Sequence, residues 1–127
     1  MPSSNKQPPK DRRKIERGKR FEDLTARFYS ELGFEILERN WRKGHKEIDL
    51  IVRKDDLIAF VEVKSSSTAK FGHPAERVDR KKIENLVACA REYIAQSNLT
   101  GVDFRFDVVT FQNGKLEHYP GAFEAEP

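Results

Sequence analysis

Two short apolar runs, each with an acidic residue at its middle, constrain this chain more than any other stretch: Glu47-Ile48-Asp49-Leu50-Ile51 and Phe60-Val61-Glu62-Val63-Lys64. Both are rich in β-branched and apolar residues, and the polar segment Arg53-Lys54-Asp55-Asp56 lies between them, so the pair predicts a β-hairpin. A carboxylate in the middle of a buried strand is costly unless it has a partner, and a cation would be one. With an even loop centred on Asp55 and Asp56, the register sets Asp49 opposite Glu62 and Glu47 opposite Lys64. Directly opposed Cβ atoms lie roughly 4.5–5.5 Å apart, close enough for two carboxylates to share one ion. A one-residue slip would abolish the arrangement.

The 127 residues suffice for one domain with a real core. Basicity is confined to one end. Residues 1–20 carry eight Lys or Arg against Asp11 and Glu16, a net +6, which leaves −3 for the remainder of a chain whose overall charge is +3. Residues 1–14 are therefore expected to form a disordered basic arm whose Lys10, Arg12, Arg13 and Lys14 can neutralise phosphates without reading sequence, or simply stay solvated. Residues 15–123 are expected to form the domain and 124–127 a frayed tail. No apolar run is long enough for a membrane span and none follows the N-terminal charges as a signal peptide would, so a cytoplasmic protein is expected. The single cysteine, Cys89, excludes an internal disulfide and falls on the apolar side of a predicted helix, as a packed thiol.

The first helix is expected to begin near Arg17, with Phe21, Leu24, Phe28 and Leu32 as its apolar stripe and Gly33 as its stop. Glu22 falls on the flank of that stripe near Tyr29, where it could face a cleft beside a sheet. Phe34-Glu35-Ile36-Leu37 reads as a first strand leading into Arg39-Asn40-Trp41-Arg42, with Trp41 packed and Arg42 a plausible phosphate contact. Ser65 to Thr68 reads as a loop of small donors, and Phe71-Gly72-His73-Pro74 as a turn. Asp79 is the expected N-cap of a second helix with Ile83, Leu86, Val87, Ala90 and Ile94 on one face. Its first turn holds Arg80, Lys81 and Lys82, where macrodipole arguments favour acids, so an anion is expected there, with Lys82 at the flank of the buried stripe. Phe104 to Val109 predicts a further strand, and Asn113-Gly114 a hairpin into a short edge strand at Leu116–Tyr119. Asp107 is expected to pair with Arg105 or another nearby donor. The element order implies an α/β fold, a central mixed sheet flanked by helices in the order α-β-β-β-α-β.

The candidate site thus gathers Glu22, Asp49, Glu62 and Lys64, with Lys82 at its rim. Carboxylates suit hard cations such as Mg²⁺ or Mn²⁺, and His45, His73 and His118 lack the ligand spacing of zinc. An ion held by Asp49 and Glu62, with Lys64 orienting a water, would make a phosphodiester hydrolase. Spacing alone leaves a second possibility equally open, in which Glu62 and Lys64 are a solvent-side pair and Asp49 sits in a structural ion pair.

Six ordered segments carry a resemblance. They are Phe21-Glu22-Asp23-Leu24-Thr25-Ala26, Leu37-Glu38-Arg39-Asn40-Trp41-Arg42, Glu47-Ile48-Asp49-Leu50-Ile51, Phe60-Val61-Glu62-Val63-Lys64, Phe71-Gly72-His73-Pro74-Ala75-Glu76 and Arg105-Phe106-Asp107-Val108-Val109. Together they resemble the YraN-like family of bacterial proteins, placed in the restriction-endonuclease-like PD-(D/E)XK superfamily and similar to archaeal Holliday-junction resolvases. The resemblance implies a restriction-endonuclease-like three-layer core and a Mg²⁺- or Mn²⁺-dependent endodeoxyribonuclease acting on branched or structured DNA. It makes Asp49 and Glu62 metal ligands, joined by the Val63 backbone carbonyl, with Lys64 the catalytic lysine and Glu22 the helix carboxylate that completes the site. Lys82 matches a recurrent basic position, and a homodimer follows by analogy with the resolvases. Two positions depart from the pattern: Phe21 and Lys46 stand where the family usually has glycine. A non-catalytic nucleic-acid-binding module that keeps the fold is the alternative.

Overall fold

The structure, a computed structural model, describes residues 10–66 and 79–124. The elements run α1 (Lys10–Glu31), β1 (Glu35–Lys43), β2 (Lys46–Lys54), β3 (Leu57–Ser66), α2 (Arg80–Ser97), β4 (Asp103–Gln112) and β5 (Lys115–Phe123). They build one sheet in the order β1-β2-β3-β4-β5, parallel between β3 and β4 and antiparallel elsewhere. A parallel pair needs a crossover, and α2 supplies it. Asn113 (φ 52°) and Gly114 (φ 79°) turn the β4–β5 hairpin with positive φ at both central positions, the geometry that Asn-Gly favours.

Alternation along the strands divides the core between two faces. Ile51, Ile58, Phe60, Phe106 and Val108 pack with Leu86, Cys89, Ala90 and Tyr93 of α2. Leu50, Val52, Ala59, Val61, Val109 and Phe111 pack with Tyr29 of α1. The sheet is therefore the middle of three layers, the α/β arrangement expected from the element order. Cys89 is fully buried, and burial raises its thiol pKa, as fits a packed thiol. Trp41 packs edge-on against Tyr93 at 5.3 Å. Among the described residues no helix is long and apolar enough to cross a membrane.

Three expectations need correction. Helix α1 starts at Lys10, not near Arg17, so the backbone of Lys10, Arg12, Arg13 and Lys14 is helical. Its first turns are almost all straight-chain charged residues, which propagate a helix well but leave no apolar periodicity to detect it by. The buried line of α1 runs through Thr25 and Tyr29, both fully buried, whereas Leu24 and Leu32 are exposed. Aromatic contacts set that rotation: Phe21 stacks on Phe111 of β4 at 4.5 Å, and Tyr29 meets Phe34 edge-on at 5.3 Å. Finally, β5 runs on to Phe123, past the predicted end at Tyr119. The predicted turn at Phe71-Gly72-His73-Pro74 and the donors Ser67 and Thr68 lie outside the described residues.

Helix α2 begins as its cap predicts. The Asp79 side chain accepts a hydrogen bond from the Lys82 backbone N–H at 2.8 Å, and Asn98 closes the helix in the left-handed conformation (φ 50°).

Candidate functional site

The β2–β3 register is the predicted one from the turn inward: Lys54 faces Leu57, Arg53 faces Ile58, and the series continues to Leu50 and Val61. There the ladder ends, one step before Asp49 and Glu62 would pair. The Val63 backbone N–H, which a continued ladder would offer to a β2 carbonyl, donates instead to Asp49 Oδ2 at 2.7 Å. Consequently Glu47 does not pair with Lys64, and it meets Arg42 at 3.5 Å on the other side.

The same point is irregular towards β1. Arg39 faces Leu50 and Trp41 faces Ile48, and between them Asn40 takes a left-handed backbone (φ 52°) opposite Asp49. Regular alternation would place Ile48 with Leu50, yet Ile48 belongs to the α2-side core and Leu50 to the α1-side core. β2 therefore reverses its facing at Asp49, the point where its ladder to β3 stops, and the register shift of β1 lies earlier, between Ile36 and Glu38. Asparagine is among the few residues that enter the left-handed region readily, so an Asn within a strand-like segment was a readable signal. Asn40 also orients the helix carboxylate, since its Nδ2 donates to Glu22 Oε1 at 3.0 Å. Glu22 thus reaches the opening from α1.

Glu62 is buried, with 5 % of its surface exposed. Lys82 Nζ lies 3.4 Å from its Oε1, and its Oε2 is buried with no hydrogen-bond partner among the described residues. Burial raises the Glu62 pKa, while the Lys82 and Lys64 ammonium groups pull it down. Asp49 is pushed up to about 7, first by burial and then by the Glu62 charge, with the Val63 N–H as the main opposing influence. Glu22 and Glu47 add to the repulsion that Asp49 feels. The structure so brings Glu22, Asp49, Glu62, Lys64 and Lys82 into one electrostatic neighbourhood, with Lys82 in contact with Glu62 and not merely at the rim. Arg42 lines the cleft, 70 % exposed. The side chains of Lys10, Arg12, Arg13 and Lys14 lie outside the described set.

Beside Asp49, on the α1 side, opens a cleft of about 540 Å³ lined by Gly18, Lys19, Glu22, Arg42, Glu47 and Asp49 together with Arg39 and Asn40. The carboxylates are half-buried and the cations exposed, so negative charge lies deeper and positive charge rings it. Lys19 and Gly18 were not foreseen, because they precede the apolar pattern that marked the helix. Arg39, also exposed, pairs with Asp23. Among the described residues, no group of three or more His, Cys, Asp or Glu is placed to hold a metal ion.

Asp107 lies elsewhere on the sheet and does not join these groups. It accepts from Arg105 Nε and Nη2 at 2.7 and 2.8 Å, from the Tyr29 hydroxyl at 2.7 Å and from the Gly121 backbone N–H at 3.0 Å. The expected Arg105 partnership holds. Tyr29 and His118, which sits 3.3 Å from Asp107 Oδ2, were not anticipated as partners.

Curated relatives agree in length and lie in bacteria. A UPF0102 protein of Sulfurihydrogenibium sp. (strain YO3AOP1) is 41% identical over 113 residues, covering 89% of this chain and 98% of the relative. One from Chloroherpeton thalassium is 47% identical over 92 residues, 72% of this chain and 71% of the relative. One from Myxococcus xanthus is 36% identical over 121 residues, 92% and 94% of the two chains. The profile of the Uncharacterised protein family UPF0102 matches residues 21–111, a span that holds Glu22, Asp49, Glu62, Lys64 and Lys82, and the chain belongs to that family.

Proposed function

We propose that this protein is a cytoplasmic, divalent-cation-dependent endodeoxyribonuclease that hydrolyses phosphodiester bonds in branched or structured DNA. One observation carries the reading: a buried Glu62 carboxylate with an unpartnered oxygen beside an Asp49 raised to about 7, at the point where two strands part. Buried polar groups are ordinarily satisfied, and an orphan of this kind calls for a missing partner.

The donor set fits Mg²⁺ or Mn²⁺, which are bound through one or two carboxylates and complete their shells with water and substrate phosphate. Asp49 and Glu62 would hold the ion, and the YraN-like, PD-(D/E)XK resemblance adds the Val63 carbonyl and Glu22. When bound, the ion supplies Lewis-acid stabilisation of the phosphoryl oxygens. The remaining work belongs to the chain. Lys64 shares the face of Glu62, where its ammonium can orient an attacking water and offset charge developing at phosphorus. Lys82 holds Glu62 in place through Oε1. Arg42 offers its exposed guanidinium to a neighbouring phosphate, and Asn40 holds Glu22 towards the cleft. A homodimer follows from the resolvase analogy.

The test is cleavage of single-stranded, duplex, flap and four-way-junction DNA with Mn²⁺, Mg²⁺ or EDTA, comparing the wild type with Asp49→Asn and Lys64→Ala. Metal-dependent cuts that fall at least about 10³-fold in both variants, about 4 kcal/mol of transition-state stabilisation, are expected. Equal cutting by wild type and variants would end the proposal.

The Lys82–Glu62 contact favours one other reading, a non-catalytic nucleic-acid-binding module in which that lysine takes the cation's place. Such a module binds DNA equally well with Asn at 49 and loses affinity when the basic residues are removed.

A further inference from the structure

Gly18 lies inside α1, between Lys10 and Glu31, where glycine is the poorest helix former apart from proline. No contact with a described residue requires it. Its φ is not in the left-handed region, and a Cβ built on it would meet no atom within 4 Å. The space it leaves empty belongs to the cleft that ends at Asp49. Gly18 stands one helical turn before Glu22, about 6 Å along the axis, so the bare stretch of helix extends the cleft beyond the carboxylates by that distance. Lys19, exposed and without an ion pair to any described residue, flanks it, and Arg42 faces it from β1. Exposed cations around half-buried carboxylates suit a polyanion that sends one phosphate inward while its neighbours meet the rim.

We propose that the bare backbone at Gly18 is a docking subsite for the sugar-phosphate backbone of a nucleic-acid strand, which passes across α1 from the Asp49 centre and is gripped by Lys19 and Arg42. The inference rests on the nuclease reading for the identity of that centre, and it names the path of the substrate. A side chain at position 18 would stand where the strand lies. Lys19 neutralises one phosphate, and its contribution is electrostatic and independent of sequence.

The experiment measures binding, not cutting. A fluorescein-labelled single-stranded oligonucleotide is titrated in Ca²⁺ and in EDTA with wild type, Gly18→Gln and Lys19→Ala, each also melted thermally. Gly18→Gln is expected to melt roughly 2–4 °C higher, because the helix gains a better former. It is also expected to bind about tenfold more weakly, a combination that a purely structural glycine would not give. Lys19→Ala is expected to reduce the slope of log affinity against log salt by about 0.7. A folded Gly18→Gln protein that binds within twofold of wild type overturns the subsite, as does a wild type that binds no oligonucleotide in either condition. A chain that binds and shows the Gly18 effect but cuts no DNA overturns the nuclease reading and leaves the subsite standing.

Discussion

Asp107 and Glu62 sit on neighbouring strands of one sheet at nearly equal depth, 1 % and 5 % exposed, and burial alone would raise both carboxyl pKa values. Asp107 is nevertheless held well below the ordinary range. Burial acts against it, but hydrogen bonds from His118, Arg105, Tyr29 and Gly121 together prevail. Among the described residues Glu62 has one ion-pair contact, Lys82, and an orphaned oxygen, and Asp49 beside it accepts one backbone N–H. The difference is one of partners, not of depth. Around Asp107 the chain supplies every partner itself and so builds a structural anchor. Around Asp49 and Glu62 the described residues supply fewer partners, which is the feature the proposed cation site rests on.

The largest test of that contrast is Asp107→Ala. It removes the buried acceptor that Tyr29 and Arg105 share, leaving the Tyr29 hydroxyl only His118, and urea denaturation should register a loss of about 3–5 kcal/mol. Asp49→Asn should act with the opposite sign, raising stability at pH 8 in EDTA by about 1–3 kcal/mol, because a neutral group replaces a poorly compensated charge. If both variants destabilise alike, the contrast fails.

The pH dependence separates the two carboxylates further. Asp49 has a folded pKa of about 7, above its unfolded value near 4, so the native state keeps a proton that the unfolded chain has lost. Stability without metal should therefore fall as pH rises from about 4 to 7, and Asp49→Asn should flatten that slope in a series of thermal melts. Asp107 has a depressed pKa, so its contribution is present above about pH 4 and lost as the solution is acidified below it. Mn²⁺ at about ten times its Kd should raise the wild-type stability by about 1.4 kcal/mol and leave Asp49→Asn unchanged. The smallest effect is expected from Tyr29→Phe, about 1 kcal/mol, since Asp107 retains Arg105 and Gly121.

Much of this was legible beforehand because the signals are local. The Asp55-Asp56 turn sets the hairpin register, and that register brings Asp49 and Glu62 to one place. The Asp79 cap and the flank position of Lys82 follow from helical spacing. What escaped notice depends on distant partners. The Tyr29 hydroxyl is buried against Asp107, 78 positions away, a partner that helical spacing cannot supply, whereas the same spacing points to Leu24 and Leu32. Alternation cannot be projected through Asp49, on either side of which Ile48 and Leu50 turn to opposite faces of the sheet. Lys19 and Gly18 belong to helical turns with no apolar pattern, and only the folded chain brings them to the border of the cleft.

The Tyr29 hydroxyl lies 3.1 Å from His118, 89 positions further along the chain. During synthesis, then, α1 emerges early but cannot complete its seat until β4 and β5 have left the ribosome and folded back. Contacts of this span form late, after the local hairpins. Glu22 and Asn40 reach their final geometry beside the cleft only then, so a nascent chain carries its acidic hairpin for most of translation without the seated helix that completes its surroundings.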